Sequence, residues 1–178
     1  MREKRPESGE YLNYYAKYVQ LVPDGDIVTT LGLTLPKAVQ LYGAIGEEHG
    51  GHRYAAGKWS IRQVLGHICD VERVMAYRAL SFARADVTEL PGFEENDWAE
   101  NAGSEDRTLA SLIDEFKAVR AATIALFGGL TSEAWSRAGK ANRAGITVRS
   151  LAWIIAGHEL HHRNIIREKY LASEVVAQ

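Results

Sequence analysis

The stretch GHELHH at residues 157–162 contains three of the chain's six histidines, together with one glutamate. Its spacing fits three kinds of metal site. His158-Glu159-x-x-His162 matches the helical zinc-protease motif, and Glu159-x-x-His162 is half of a di-iron carboxylate site. His158-x-x-x-His162 alone is a pair of ligands one helical turn apart. Each interpretation implies a different chemistry, so residues elsewhere in the chain must distinguish them.

The protease and di-iron interpretations lack residues that their chemistry requires. No histidine follows His162, and Ile165 and Glu168 stand where the longer metalloprotease motif needs glycine and histidine. A ferritin-like di-iron site needs a second Glu-x-x-His on a partner helix, whereas Glu72 is followed at the third position by Met75. We therefore favour the simple pair of histidines.

The pair is expected to face the protein interior. On a helix that advances about 100° per residue, His158 and His162 differ by about 40° and share a stripe with several isoleucines. Two buried imidazoles without partners cost roughly 1–3 kcal/mol each, whereas one divalent cation satisfies both. The alternative is that each imidazole hydrogen-bonds a neighbour in the core.

His67 is the best candidate for a third ligand. It follows the same helical line as Val64, Val71 and Val74, which places it on or beside a buried stripe. Its alternative role is that of a hydrogen-bonded histidine at the flank of the core. The two histidines of EEHGGHRY are expected to lie in a solvated loop.

Three further residues are candidates for supporting the histidines. Glu159 and His161 each lie about 80° from the mean direction of the pair, where they can carry protons or face solvent. Asp70 lies one turn after His67, where it can orient that imidazole or lie on the helix surface.

Arg78 and Trp98 are candidates for contacts with a substrate. Arg78 lies three turns after His67, so it can anchor an anionic group or form a salt bridge within the protein. Trp98 lies in a long acidic loop that can cover an open metal position. The single cysteine, Cys69, points away from His67 and is expected to be a small core residue.

Four segments with apolar residues at helical spacing predict the elements that hold these side chains. The predicted helices span about 26 or 34 to 48, 60 to 84, 109 to 127, and 147 to 166, and a short turn is expected at 133–137. Ser60 and Gln63 form the start signal of the second helix, a capping box. No segment has the pattern of a strand. We predict an all-α four-helix bundle with long inter-helix loops, in one domain of residues 1–178 with an N-terminal arm over about 1–25.

The composition argues against several classes of protein. The chain has 178 residues with 21 basic and 23 acidic side chains, so it has no general positive field for nucleic acid or an anionic membrane. Its apolar runs are far shorter than the roughly 20 residues that cross a bilayer, and its N-terminal sequence does not resemble a secretory signal. We therefore expect a cytoplasmic protein that binds neither nucleic acid nor membranes.

Two segments, WSIRQVLGHICDVERVMAYRAL at 59–80 and AWIIAGHELHHRNIIREKYL at 152–171, resemble the DinB/YfiT-like family. YYAKYVQLVPDGDI at 14–27 and LPGFEENDW at 90–98 resemble a bacterial subgroup of it, so the resemblance spans about residues 11–171. It implies a four-helix bundle in which three histidines bind a divalent metal, and the matching positions are His67, His158 and His162. The sequence departs from the family at KANRAGITV, residues 140–148, which leaves the conformation of that loop open.

Three neutral imidazoles leave a bound cation its full charge and an open position, which is typical of a catalytic site. Imidazole suits Zn, Ni and Fe alike, so the expected cofactor is one divalent ion of these three, which can activate water or a thiol. The family resemblance implies that such a thiol has a low molecular weight. The expected function is transfer, isomerisation or hydrolysis of a small-molecule electrophile, by a thiol-dependent transferase or a hydrolase. We expect the protein to form a homodimer. The alternative is a non-catalytic four-helix bundle that binds or senses a metal.

Overall fold

The computed structural model describes residues 4–171 of the chain. This part contains seven α-helices and one two-stranded sheet. Residues 1–3 and 172–178, which the predicted domain and arm include, lie outside the described residues. In chain order, the elements are α1 (Ala16–Val19), α2 (Ile27–Gly43), α3 (Ile61–Ala83), α4 (Glu95–Asn101), α5 (Leu109–Gly128), α6 (Ser132–Ser136), β1 (Ala138–Ala141), β2 (Ala144–Thr147) and α7 (Val148–Ile165).

The four long helices, α2, α3, α5 and α7, pack as a bundle. α3 lies against α5 and α7, and α2 lies against the same two helices from the other side. α1, preceded by the turns at Ser8–Glu10 and Asn13–Tyr15, forms the N-terminal arm and packs on α7. The predicted all-α four-helix bundle is thus confirmed. In residues 4–171, no helix is both long and apolar enough to span a membrane.

Side-chain caps determine where the helices that carry the histidines begin. At the start of α3, the Ser60 hydroxyl accepts from the Gln63 amide and Gln63 Oε1 accepts from the Ser60 amide, both at 3.1 Å. This arrangement is the predicted capping box, which satisfies amides that the first turn leaves unpaired. At the start of α7, Thr147 Oγ1 accepts from the Ser150 amide at 3.1 Å. Both caps set the helical phase of the histidines that follow.

The first predicted helix had two alternative starts, and the structure distinguishes them. Asp26 caps α2 by accepting from the Thr29 amide at 2.7 Å, so the helix begins at Ile27 and the alternative start at Thr34 is wrong. It ends at Gly43, and Glu47–His49 forms a separate 3-10 turn instead of its continuation.

The expectation of no strands was wrong for the loop before α7. β1 and β2 form an antiparallel hairpin in which Ala141 pairs with Ala144. Its two turn residues, Asn142 and Arg143, have φ angles of 50° and 66°, as a two-residue hairpin turn requires. The strands are too short and too poor in β-branched residues for their pattern to be read from sequence. The backbone of Leu90 pairs with this hairpin, which anchors the long loop after α3.

A band of buried polar residues separates two apolar clusters. On α7, the cluster nearer the arm extends to Ala156 and the other cluster begins at Ile166, with His158, Glu159 and His162 buried between them. On α3, the boundary between the same two clusters falls between Cys69 and Val71, close to His67. The bundle therefore places its polar side chains at one level, where they can meet.

Candidate metal centre

Three imidazoles from two helices meet in the polar band. Nε2 of His158 lies 3.1 Å from Nε2 of His67 on α3 and 3.1 Å from Nε2 of His162, one turn further along α7. Ligand atoms from all three residues lie within 4.8 Å of one another, and among the described residues no other His, Cys, Asp or Glu joins this group. The structure thus brings His67, His158 and His162 together, and we call them the histidine triad.

Hydrogen bonding alone does not satisfy this arrangement. A neutral imidazole nitrogen either donates one hydrogen or accepts through one lone pair, so Nε2 of His158 can serve only one of its two close neighbours. A cation, in contrast, can bind three imidazole nitrogens that lie this close together.

Burial keeps the three rings neutral. The exposed fractions of His67, His158 and His162 are 4%, 4% and 9%. Burial lowers the pKa of His67 to about 4, and it lowers the pKa of the other two well below 6.5, with the neighbouring imidazoles contributing in the same direction. Neutral imidazole is the form that binds a metal.

The nitrogen positions fit a divalent ion. Two imidazole nitrogens bound to one ion at about 2.0–2.1 Å are about 2.9–3.4 Å apart for coordination angles between octahedral and tetrahedral values. The two distances of 3.1 Å fall within this range. Zn, Ni and Fe all accept imidazole, so the donor set fits each of the three metals expected from sequence.

Two aromatic residues that the sequence analysis did not assign to the site hold the triad in position. The ring of Trp59, just before the Ser60 cap, lies 4.6 Å from the ring of His67. Tyr18 on α1 is buried, and its ring lies 5.3 Å from His158 and 5.2 Å from His161. The cluster of tyrosines in the arm was the available signal for Tyr18, but its position depends on how the arm docks.

Gly157 explains how the arm approaches the triad so closely. A Cβ atom at this position would overlap the carbonyl group of Tyr18 and lie 3.0 Å from Tyr18 Cα. The backbone of α1 therefore rests directly on α7 where α7 has no side chain, one residue before His158. This contact is the reason for the glycine in GHELHH.

Two cavities open on the triad. The arm-side cavity, of about 320 Å³, is lined by His158, by the arm tyrosines and by residues 92–96. The Trp59-side cavity, of about 210 Å³, is lined by His162, Trp59 and Tyr170. Asn96 lines both. A small molecule can thus approach the triad from either side.

Glu159 is buried, but it does not join the triad. Its Oε1 accepts a hydrogen bond from the Tyr42 hydroxyl at 3.0 Å and lies 3.5 Å from Nε of Arg163, and its Oε2 has no hydrogen-bond partner among the described residues. Burial raises the pKa of Glu159, against the opposing effects of Arg163 and Arg120. The expected solvated position is wrong for this residue, because α2 covers that side of α7.

His161 lies at the edge of the site. It is half-buried, and its ring lies 5.2 Å from the rings of Tyr18 and His162. Burial and the nearby Lys17 lower the pKa of His161. The structure therefore places it beside the triad, outside the group of converging nitrogens.

Asp70 and Trp98 do not contact the triad. Asp70 lies 3.7 Å from Arg73, so its contact is an ion pair along α3 and not an orienting hydrogen bond to His67. The ring of Trp98 packs on Phe93 at 4.6 Å and lines a groove that borders the arm-side cavity and shares Arg78, Gly92 and Phe93 with it. Residues 92–96 of the same loop line the arm-side cavity, whereas Trp98 does not.

Arg78 and Cys69 have distinct environments on α3. Arg78 is buried and lines the arm-side cavity together with His158, although no carboxylate in residues 4–171 pairs with it. Cys69 is fully buried in the core, as expected, and burial raises the pKa of its thiol to about 12. This thiol is therefore not a source of nucleophilic thiolate at neutral pH.

Two solved structures have a similar fold. YfiT from Bacillus subtilis, described as a probable metal-dependent hydrolase with an unusual four-helix bundle topology, aligns with a TM-score of 0.68 and 19% identity over 97% of this chain and 94% of that chain. A mycothiol-dependent maleylpyruvate isomerase aligns with a TM-score of 0.65 and 12% identity over 78% of this chain and 58% of that chain. At these identities, the likeness concerns the fold alone. No curated protein matches the sequence.

The sequence itself matches a family model. The model of the DinB superfamily aligns with residues 33–166, which include α3, α5, α7 and the whole histidine triad. This match covers most of the chain and agrees with the resemblance that the segments around His67 and His158 carry. The chain therefore belongs to the DinB superfamily.

Proposed function

We propose that this protein is a metal-dependent enzyme that acts on a small-molecule electrophile, by transferring a thiol to it, isomerising it or hydrolysing it. The observation that supports the proposal is the meeting of three neutral, buried imidazoles at a cavity large enough for a small substrate. A divalent ion held by three imidazoles lowers the pKa of a coordinated thiol or water, so that a nucleophile is available at neutral pH.

The residues of the chain have separate tasks in this proposal. His67, His158 and His162 supply three nitrogens and no negative charge, which preserves the charge of the ion for its other ligand. Trp59 and Tyr18 pack against His67 and His158 and restrict rotation of the two rings. Their contacts preorganise the ligands and so lower the entropic cost of binding the ion.

Any thiol in the reaction must come from outside the chain. Cys69, the single cysteine, is buried and its pKa is raised, so it cannot act as the nucleophile. A free low-molecular-weight thiol, or water, would instead enter through one of the two cavities. The fold shared with YfiT and with the mycothiol-dependent maleylpyruvate isomerase supports both routes, since one is described as a probable hydrolase and the other as thiol-dependent.

Metal content tests the site itself. Protein purified without a histidine tag is expected to hold or take up about one equivalent of a divalent transition metal, and each of His67→Ala, His158→Ala and His162→Ala should abolish this binding. His52→Ala is the matched control, because His52 lies outside the triad and should leave the metal content unchanged. Failure of the wild-type protein to bind Zn, Ni or Fe would remove the basis of the proposal.

Turnover then separates an enzyme from a metal-binding bundle. The Zn-, Ni- and Fe-loaded proteins are each supplied with a thiol and chlorodinitrobenzene, from which the thiolate displaces chloride, or with nitrophenyl acetate, which water hydrolyses. The enzyme hypothesis predicts turnover with at least one metal, lost in His158→Ala. A metal whose only effect is to raise the melting temperature would favour the non-catalytic alternative, in which the ion ties α3 to α7.

A further inference from the structure

Three arginines are buried among the described residues, and Arg78 differs from the other two. Arg120 forms a two-pronged ion pair with Glu72, with both N···O distances at 2.8 Å, and Arg149 pairs with Glu10. Arg78 is equally buried, at 3% exposure, yet no Asp or Glu in residues 4–171 lies within ion-pair distance of it. A buried guanidinium without a counter-charge is costly, because it has lost its hydration without gaining a partner of opposite charge.

The contacts of Arg78 leave part of its guanidinium available. One terminal nitrogen donates to the carbonyl oxygen of Pro91 at 2.7 Å, and the other lies 3.7 Å from Sδ of Met75, a weak acceptor. The hydroxyl of Tyr15 lies beside the same guanidinium. A guanidinium carries five N–H donors, so these neutral contacts neither use all of them nor balance the charge.

Arg78 lies in a cavity that also reaches the histidine triad. Arg78 and His158 line the same arm-side cavity, and the apolar side chains of Val71, Met75 and Ile154 line the space with them. Because Arg78 follows His67 by three turns and a helical side chain leans towards the N-terminus, the guanidinium and the triad are on the order of 10 Å apart. The cavity thus has a cationic end, an apolar middle and a metal-ligand end.

The remaining charges in the cavity restrict which anion fits. Glu94 and Glu95 also line it, at exposed and half-exposed positions, and Glu95 acts electrostatically on the hydroxyls of Tyr15 and Tyr18. These two carboxylates disfavour an anion with several charges, such as a phosphate ester. A single carboxylate matches the planar, two-pronged donor geometry of arginine.

We propose that the arm-side cavity binds a small molecule with a carboxylate at one end, which Arg78 and Tyr15 hold, while its reactive end lies at the histidine triad. This inference rests on the proposed function and names the substrate class of the same site. The carboxylate belongs either to the electrophile or to the thiol, since each can bring this group into the cavity. In both cases, Arg78 is a substrate-binding residue that selects a negatively charged ligand.

Binding of an unreactive probe tests the carboxylate site without turnover. Phenylbutyrate and its neutral amide, phenylbutyramide, are compared by calorimetry on the protein as purified and after zinc loading. The wild-type protein should bind the carboxylate at least about tenfold more tightly than the amide, which corresponds to about 1.4 kcal/mol, and Arg78→Met should remove this preference. Arg78→Lys, which keeps the charge but loses the planar geometry, should retain part of it.

Arg73→Met is the matched control for both arginine variants. Arg73 lies on the same helix but pairs with Glu115 and does not line the arm-side cavity, so its replacement should leave the preference intact. Circular dichroism and melting temperature show which variants fold. Equal affinity of the folded wild-type protein for carboxylate and amide, or an unchanged preference in folded Arg78→Met or Arg78→Lys, would overturn the inference.

Turnover with matched substrates identifies the source of the carboxylate. Mercaptohexanoate is compared with mercaptohexanol as the thiol, and chloronitrobenzoate with chloronitrobenzamide as the electrophile. The pair whose charged member loses at least about tenfold in kcat/KM in Arg78→Met contains the natural carboxylate position. If no pair is turned over, the proposed function fails, whereas the binding measurements still decide whether Arg78 forms a carboxylate site.

Discussion

Replacing Gly157 by alanine is expected to displace the N-terminal arm from α7. The new Cβ would overlap the carbonyl group of Tyr18 and lie 3.0 Å from Tyr18 Cα, whereas ordinary contact begins near 3.4 Å. The clash is with backbone, which cannot rotate away as a flexible side chain can. The arm must therefore move by about 1 Å or more, because a packed interior has no free volume to absorb the methyl group.

The loss of unfolding free energy in Gly157→Ala can be estimated from the groups that must move. Overpacking of this kind costs about 1–3 kcal/mol of unfolding free energy. Full release of α1 would also expose Val19 and Val22, which are each 1% exposed now and whose burial contributes about 1.5–3 kcal/mol per side chain. Alanine in a helix interior recovers about 0.5–1 kcal/mol relative to glycine. We expect a net loss of about 1–2 kcal/mol if the arm shifts, and a larger loss if it detaches.

Gly32→Ala provides the matched control, because Gly32 lies inside α2 and a Cβ there would meet no atom within 4 Å. That variant should be more stable than the wild-type protein, since only the helix-propensity gain applies. Urea unfolding gives both free energies, and zinc affinity reports the loss of the Tyr18 contact with His158. A Gly157→Ala protein as stable as Gly32→Ala would refute the docking of α1 on α7.

Three further predictions concern the buried polar band. Metal-free protein should lose stability as the pH falls from 7 to 4.5, because the unfolded chain protonates His67 near pH 6.5 while burial holds its folded-state pKa at about 4. The unfolded state binds more protons throughout this window, so His67 contributes a loss of about 2 kcal/mol, and urea unfolding of His67→Gln in chelator should show a flatter pH dependence. Glu72→Gln should cost about 3–5 kcal/mol because it removes the carboxylate that forms the two-pronged ion pair with the fully buried Arg120, and the double variant Glu72→Leu/Arg120→Met should recover most of that stability in the same assay. Zinc at 100 times its Kd should stabilise the protein by about 2.7 kcal/mol in calorimetric melting, and no such gain is expected for His158→Ala.

Patterns within a few residues of one another predicted the helices that carry the site and which side of each helix its residues face. The capping box at Ser60 and the threonine at 147 determine where α3 and α7 begin, because a cap involves groups only three residues apart. The spacing of four between His158 and His162 places them on one face for the same local reason. The hairpin before α7 and the end of α2 were mispredicted, since short strands and glycine-containing helix ends have weak local signals.

The supporting residues were harder to assign from sequence. Glu159 was expected to be solvated or near the site, and it is instead buried against Tyr42. Trp98 was a candidate for a contact over the site, and its ring packs on Phe93 and lines the groove that borders the arm-side cavity. The environment of Glu159 is determined by α2, and that of Trp98 by the long loop. The position of a residue around its own helix does not show which other element will pack against it.

The sequence alone determined the bundle, the start of α3 and α7, the inward-facing pair His158 and His162, and a nearly balanced charge of 21 basic and 23 acidic residues. These features depend on interactions within one helix or on composition, which a single sequence displays directly. Only the tertiary structure decided that His67 meets that pair, that the arm rests on Gly157, and that Arg78 is buried without a carboxylate. Those facts depend on how separate helices pack, and packing is settled by the fit of whole surfaces from distant parts of the chain.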